Sequence, residues 1–149
     1  MEKQDLIDTL RCDVAGTCVG QKSRNAARLL TRRFDNALRP VGLTGSQYSM
    51  LAVIALTQDK THTELAAHMA LDRTTLIRNL KPLEREGWVV VSDEGYRRAR
   101  SVDITDLGVA KLSEALPLWR EIQETIKKEL GEDAWRSVHH AMEALGTLT

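Results

Sequence analysis

Residues 61–104 read THTELAAHMALDRTTLIRNLKPLEREGWVVVSDEGYRRARSVDI. The spacing in this stretch predicts a helix, a short turn, a second helix and a small β-hairpin loaded with arginine. The first helix opens at Thr61 with Glu64 three residues on, the pattern in which side chain and backbone satisfy each other's unpaired groups at a helix start. Leu65, Ala66 and Met69 follow on one face, the helix stops near Ala70-Leu71, and Asp72 is placed to cap the next one. In that second helix Leu76, Leu80 and Leu83 recur at four and three and mark the buried side. At about 100° per residue, Thr74, Arg78, Lys81 and Arg85 project from the opposite side, with Thr75 flanking them. Gly87 stands where a left-handed cap residue ends a helix.

A helix with small hydroxyls and long cations on its exposed face, preceded by a short helix at a tight turn, is a helix-turn-helix arrangement. The major groove, about 12 Å wide, admits one helix whose N-terminal side chains reach base edges. Taken alone, Arg78, Lys81 and Arg85 are what any solvated helix face carries. The hairpin separates the two readings. Trp88-Val89-Val90-Val91 is β-branched and aromatic, Ser92-Asp93-Glu94-Gly95 carries turn residues, and Ser101-Val102-Asp103-Ile104 alternates polar with apolar. Between them Arg97, Arg98 and Arg100 crowd the hairpin edge beside Tyr96. A basic hairpin beside a recognition helix is a wing, suited to phosphate contact or to arginine insertion into a narrow minor groove.

The ordered set of these residues resembles the MarR family of winged helix-turn-helix transcription factors. The resemblance is carried by Thr61, Glu64, Leu65 and Ala66, by Asp72 through Leu76 with Arg78, Leu80, Leu83, Glu84 and Gly87, and by Arg97, Arg98, Arg100, Val102, Ile104, Thr105 and Gly108. The flanking helices fit that family's order, so the match spans nearly the whole chain. One departure is Tyr96, standing two residues before Arg98 where the family usually has an aspartate. The resemblance implies a homodimer on double-stranded DNA, modulated by a small, often phenolic or lipophilic, molecule lodged between dimerisation helices and winged domain. Phe34 and Trp119 are candidate lining for that molecule.

Composition agrees with one domain: 149 residues, 42% of them hydrophobic, suffice for a real core. The formal charge is zero, so a uniformly basic nucleic-acid binder is excluded, but the charge is unevenly spread. Residues 22–39 hold six cations (Lys22, Arg24, Arg28, Arg32, Arg33, Arg39) against Asp35, a local +5, while residues 101–149 carry a local −4. A local field of this kind suffices for association with DNA. No apolar run approaches the roughly 18 residues of a membrane span, and the N-terminus shows no signal-peptide pattern, so the expected place is the cytoplasm.

Residues 1–20 are weakly patterned, and Gly16 and Gly20 argue against one unbroken helix from the start. Cys12 and Cys18 lie here; six apart, they would fall on different faces of a helix and could not bridge without it opening. Their plain reading is two free thiols, and redox sensing is the functional alternative, since some members of the resembled family sense oxidants through an N-terminal cysteine. From about Gln21 to Arg39 a helix carries Ala26, Leu30, Phe34 and Ala37 as one stripe, ending at Leu38-Arg39-Pro40. The next helix starts at Thr44 with Gln47 three on and turns Met50, Leu51, Ile54 and Ala55 inward.

After the wing, Thr105 caps a long helix to about Leu130, with Leu112, Leu116, Trp119, Ile122 and Ile126 on one face and Pro117 within it. Gly131 breaks the chain, and a last helix repeats Trp135, Val138, Met142 and Leu145 at three, four and three. These helices exceed what a small winged helix needs to cover its own core, so they are expected to pair in a twofold dimer.

The fold expected is mainly α with a small β-hairpin wing, a winged helix-turn-helix (44–104) flanked by N- and C-terminal dimerisation helices (22–39 and 106–149), in a single domain over 1–149. The DNA-binding residues expected are Arg73, Thr74, Thr75, Arg78 and Lys81 on the recognition helix and Arg97, Arg98 and Arg100 on the wing. No cofactor is expected. The pairs His139-His140 and His62/His68 each point to different helix faces, so no metal site is expected either. No phosphate loop, nucleophile elbow or acid/base pair at an informative spacing points to an enzyme. The function expected is a sequence-specific transcriptional regulator, a repressor or an activator. Cysteine-based redox sensing on the same fold, or a winged-helix protein-interaction module without DNA binding, are the alternatives.

Overall fold

The computed structural model describes residues 1–57, 60–92 and 101–148. In it the chain runs α1 (Lys3–Asp13), α2 (Val19–Leu38), a 3-10 turn (Arg39–Val41), α3 (Gly45–Thr57), β1 (Lys60–Thr61), α4 (His62–His68), α5 (Arg73–Arg85), β2 (Val89–Val91), β3 (Ser101–Ile104), α6 (Asp106–Leu130) and α7 (Glu132–Gly146). By backbone proximity it divides into two units, Met1–Arg33 and Phe34–Thr149.

In the first unit, α1 is a helix where the sequence reads as weakly patterned. Asp5 in its first turn and Arg11 in its last suit the helix dipole. Asp8 accepts from Gln4 at 3.2 Å and from Arg11 at 3.1 Å, a polar ladder at helical spacing. The chain turns at residues 14–17, and α2 begins at Val19, so Gly16 lies at the expected break while Gly20 lies inside a helix. This corrects the reading of the cysteines. Cys12 belongs to α1 and Cys18 immediately precedes α2, so they do not share a helix; both are exposed and free.

The second unit is built on helix starts that hold each other. Gln47 N donates to Thr44 Oγ1 (3.2 Å) and Thr44 N to Gln47 Oε1 (2.9 Å), and Asp35 Oδ1 accepts from Gly45 N (2.8 Å), tying the end of α2 to the head of α3. Thr61 and Glu64 form the same reciprocal box at α4. Thr105 caps α6 by accepting from Gly108 N at 3.1 Å.

The core gathers Leu38 from α2, Leu51 and Ile54 from α3, Leu65 from α4, and Leu76 and Leu83 from α5, all essentially without exposed surface. Val89, Val102 and Ala115 close it from the sheet and α6. Each leucine removed from water in this way contributes about 1.5–3 kcal/mol. Tyr48 and Trp119 stack with ring centroids 5.9 Å apart, joining α3 to α6. Lys111 on α6 donates to the Val41 carbonyl at 3.1 Å and stands 5.7 Å over the Trp88 ring.

The wing is more than a hairpin. The sheet has the order β1-β3-β2, antiparallel throughout, with Lys60 opposite Val102 on one side of β3 and Val89 opposite Ile104 on the other. The extra strand follows from the cap: Thr61 must be extended to cap α4 (ψ 158), so the residues before it already have strand geometry. A side chain at Gly108 would meet the Trp88 carbonyl oxygen at 2.1 Å, so only glycine lets α6 start this close to the foot of β2.

Candidate nucleic-acid interface

The angle between α4 and α5 is fixed by backbone bonds before any side chain acts. Leu71 N donates to Ala66 O at 2.8 Å and Ala70 N to Ala67 O at 3.1 Å, the double closure that ends a helix through a left-handed residue. That residue is Ala70 at φ +51, the one non-glycine with positive φ among the described residues. Asp72 then opens α5, its Oδ1 accepting from Thr75 N at 2.8 Å and its Oδ2 from Thr75 Oγ1 at 2.6 Å. These bonds, the hydroxyl's first, hold the Asp72 carboxyl below its ordinary range. Gly87 at φ +73 ends the helix in the left-handed region, as its position predicts.

Between those ends the two faces of α5 separate as expected. Leu76, Leu80 and Leu83 are buried, whereas Arg73, Thr74, Arg78, Lys81 and Arg85 are exposed and Thr75 is half-buried. Arg85 lies 3.7 Å from Glu86, so its charge is partly offset. Among the described residues Arg73, Arg78 and Lys81 have no such acidic partner. The structure therefore brings Arg73, Thr74, Thr75, Arg78 and Lys81 together on one helix. At the wing's base Ser92 N donates to Ser101 O and Ser101 N to Ser92 Oγ, each at 2.9 Å. Tyr96 and the wing arginines Arg97, Arg98 and Arg100 lie outside the described residues.

A hollow of about 380 Å³ opens between the first turns of α3 and the middle of α5, lined by Thr44, Ser46, Gln47, Met50, Arg78, Asn79 and Pro82. Sequence reasoning missed Ser46, Gln47, Asn79 and Pro82 as surface neighbours of Arg78, because nothing in the spacing pairs α3 with α5. Pro82 lies inside α5 and has no N–H to donate to the Arg78 carbonyl, a local signal that was legible.

Residues 41–99 match the sequence model of the MarR family. The chain is 41% identical to the transcriptional regulator MosR of M. tuberculosis, whose structure in complex with DNA superposes with a TM-score of 0.78 over 87% of this chain and 93% of MosR. The chain belongs to the MarR family.

Two more distant comparisons accompany that with MosR, one of structure and one of sequence. The repressor CouR, bound to a 23-mer DNA duplex, is 24% identical with a TM-score of 0.77, over 86% of this chain and 92% of CouR. The HTH-type transcriptional regulator YwoH of Bacillus subtilis is 24% identical over 115 residues, 77% of this chain and 84% of YwoH. As a MarR-family member the protein is a DNA-binding transcriptional regulator with a winged-helix fold, and its relatives are regulators rather than enzymes. Among the described residues no group of three or more His, Cys, Asp or Glu is placed to hold a metal ion. Among them, too, no helix is long and apolar enough to cross a membrane.

Proposed function

We propose that this MarR-family protein works as a homodimer that represses transcription by reading an inverted-repeat operator, and that a small phenolic or lipophilic molecule releases it. The observation that carries the reading is the face of α5. Arg73, Thr74, Arg78 and Lys81 stand exposed on the side of α5 away from a buried leucine seam, with Arg73 and Thr74 at the N-terminal end that reaches base edges in a major groove. Arg78 is the residue for a guanine edge, and Lys81, a compact charge further along the helix, for a phosphate. Arg97, Arg98 and Arg100 hold the backbone or enter the minor groove.

The whole chain, 1–149, acts as one regulator in this reading, with residues 22–39 and 106–149 supplying the dimerisation helices and 44–104 the DNA-binding part. Support comes from α7, whose Val138, Met142 and Leu145 are 36%, 51% and 42% exposed in the single chain. An apolar stripe of that kind asks for a partner surface. A twofold pair sets two recognition helices about one DNA turn apart, roughly 34–36 Å. The effector is proposed by analogy with CouR, which is also known bound to p-coumaroyl-CoA. The protein is proposed to act in the cytoplasm.

A second reading, oxidation of cysteine in place of a ligand, is favoured by the exposure of both Cys12 and Cys18. Operator affinity unchanged after peroxide treatment removes it. The test of the main reading is fluorescence anisotropy on the DNA upstream of the protein's own gene against a scrambled duplex. Preference for the upstream duplex by roughly 10³-fold or more, falling steeply with salt, supports it. Absence of binding to either duplex at low salt turns the case toward a protein-interaction module.

A further inference from the structure

The cap of α5 commits one of its DNA-facing hydroxyls. Thr75 Oγ1 lies 2.6 Å from Asp72 Oδ2, while the other carboxylate oxygen takes the Thr75 backbone N–H at 2.8 Å. The carboxyl is held below its ordinary range, so near neutral pH it is ionised and only accepts. The proton in the 2.6 Å contact therefore comes from the threonine. A threonine in a helix otherwise divides between two rotamers, and this bond selects the one that turns the hydroxyl back to the cap. What remains for a partner is the methyl group and the hydroxyl's two accepting lone pairs, on a residue only half-buried at the N-terminal end of the recognition helix.

We infer that Thr75 determines specificity as an apolar reader of a thymine 5-methyl group, with Asp72 as the residue that positions it. The inference rests on the DNA-reading role proposed for α5 and names the chemistry of one contact within it. A hydroxyl free to rotate donates to guanine O6 or N7, to thymine O4 or to a phosphate, and so tolerates many sequences. A hydroxyl already spent on a carboxylate does not. Its neighbour Thr74, the second residue of the same helix, is exposed, and its hydroxyl has no partner among the described residues. The two adjacent threonines are thus chemically distinct: Thr74 is free to donate to a phosphate, and Thr75, its proton committed, offers its methyl group and no donor.

The experiment uses the highest-affinity duplex that the wild-type chain selects from a randomised pool, with thymine replaced by uracil one position at a time. Uracil lacks only the methyl group. Wild-type protein is expected to lose about fourfold in affinity at one thymine of each half-site, the worth of one buried methyl-sized group. Thr75→Val keeps a methyl there and keeps the backbone N–H on Asp72, so it is expected to bind the parent duplex within about twofold of wild type and to retain the uracil penalty. Thr75→Ser keeps the hydroxyl and is expected to show no penalty at that thymine. Asp72→Ala frees the rotamer and is expected to blunt the same penalty, with circular dichroism reporting that the helices remain. A loss of binding in Thr75→Val with wild-type behaviour in Thr75→Ser overturns the inference and makes the hydroxyl the contact. A uracil scan with no position that Thr75→Ser desensitises overturns it too. Wild-type protein that selects no sequence from the pool overturns the reading role of α5 itself, and the inference with it.

Discussion

The hydroxyl of Thr105 donates a 2.6 Å hydrogen bond to the carbonyl oxygen of Gly87. The Thr105 hydroxyl oxygen in turn accepts from Gly108 N at 3.1 Å, and Thr105 N donates to Trp88 O at 3.0 Å. One residue thereby fastens the end of the recognition helix, the foot of the wing and the first turn of α6. A displacement of α6 reaches α5 through three short bonds and little flexible chain.

Replacing Thr105 by valine leaves a carbonyl and an N–H without their partner at nearly constant volume. The expected cost is about 1–3 kcal/mol in denaturant unfolding, while Thr105→Ser is expected to stay near wild type. Equal losses in the two variants contradict the hydrogen-bonding role.

Ala70 holds a left-handed conformation, φ +51, at the turn between α4 and α5. A side chain there carries a steric cost of roughly 1–2 kcal/mol that glycine escapes, less the entropy glycine adds to the unfolded chain. Ala70→Gly is therefore expected to raise the melting temperature slightly and leave DNA affinity unchanged. A lower melting temperature contradicts the strain.

Acid should unfasten the helix starts. The Glu64 carboxyl is held below its ordinary range by the Thr61 backbone N–H and then its hydroxyl, and Asp72 by the hydroxyl and then the backbone N–H of Thr75. Both folded values are depressed. The stability these groups contribute is thus complete above the ordinary carboxylate range near about pH 4 and is lost as pH falls through the folded values. Thermal melts of wild type are expected to decline across that window more steeply than those of the Glu64→Gln, Asp72→Ala double variant. Parallel curves contradict the assignment.

The exposed stripe of α7 gives the dimer a direct handle. Wild-type protein is expected by light scattering at twice the 16.7 kDa chain mass, and Met142→Glu is expected to shift it toward a single chain. A charge on a surface that must be buried is strongly disfavoured. A wild-type mass of one chain, independent of concentration, defeats the dimer.

Much of this molecule was legible because its helix starts carry their own signals. Thr44 with Gln47, Thr61 with Glu64, and Asp72 announce α3, α4 and α5 by residue type and spacing alone, and all three caps form. The leucines at 76, 80 and 83 announce which side of α5 is buried, and so which side faces outward. What escaped lacks a local signal. Strand β1 is two residues long, shorter than any alternation can reveal. Helix α1 stands on polar pairs such as Gln4 with Asp8, which periodicity of apolar residues ignores. The turn near Ala70 falls where the sequence places it, and only its left-handed conformation, on an alanine in place of the usual glycine, carries no local signal. The hollow beside Arg78 needs α3 and α5 brought together, and only the folded chain does that.

The most direct measurement is the salt-dependent affinity of Arg78→Ala and Lys81→Ala for the upstream duplex and for a scrambled one. The expected result is that Arg78→Ala loses about 1–3 kcal/mol on the upstream duplex alone, so its preference collapses, while Lys81→Ala weakens both duplexes alike and lowers the salt slope by about one. Equal losses on both duplexes for Arg78→Ala contradict base readout by α5.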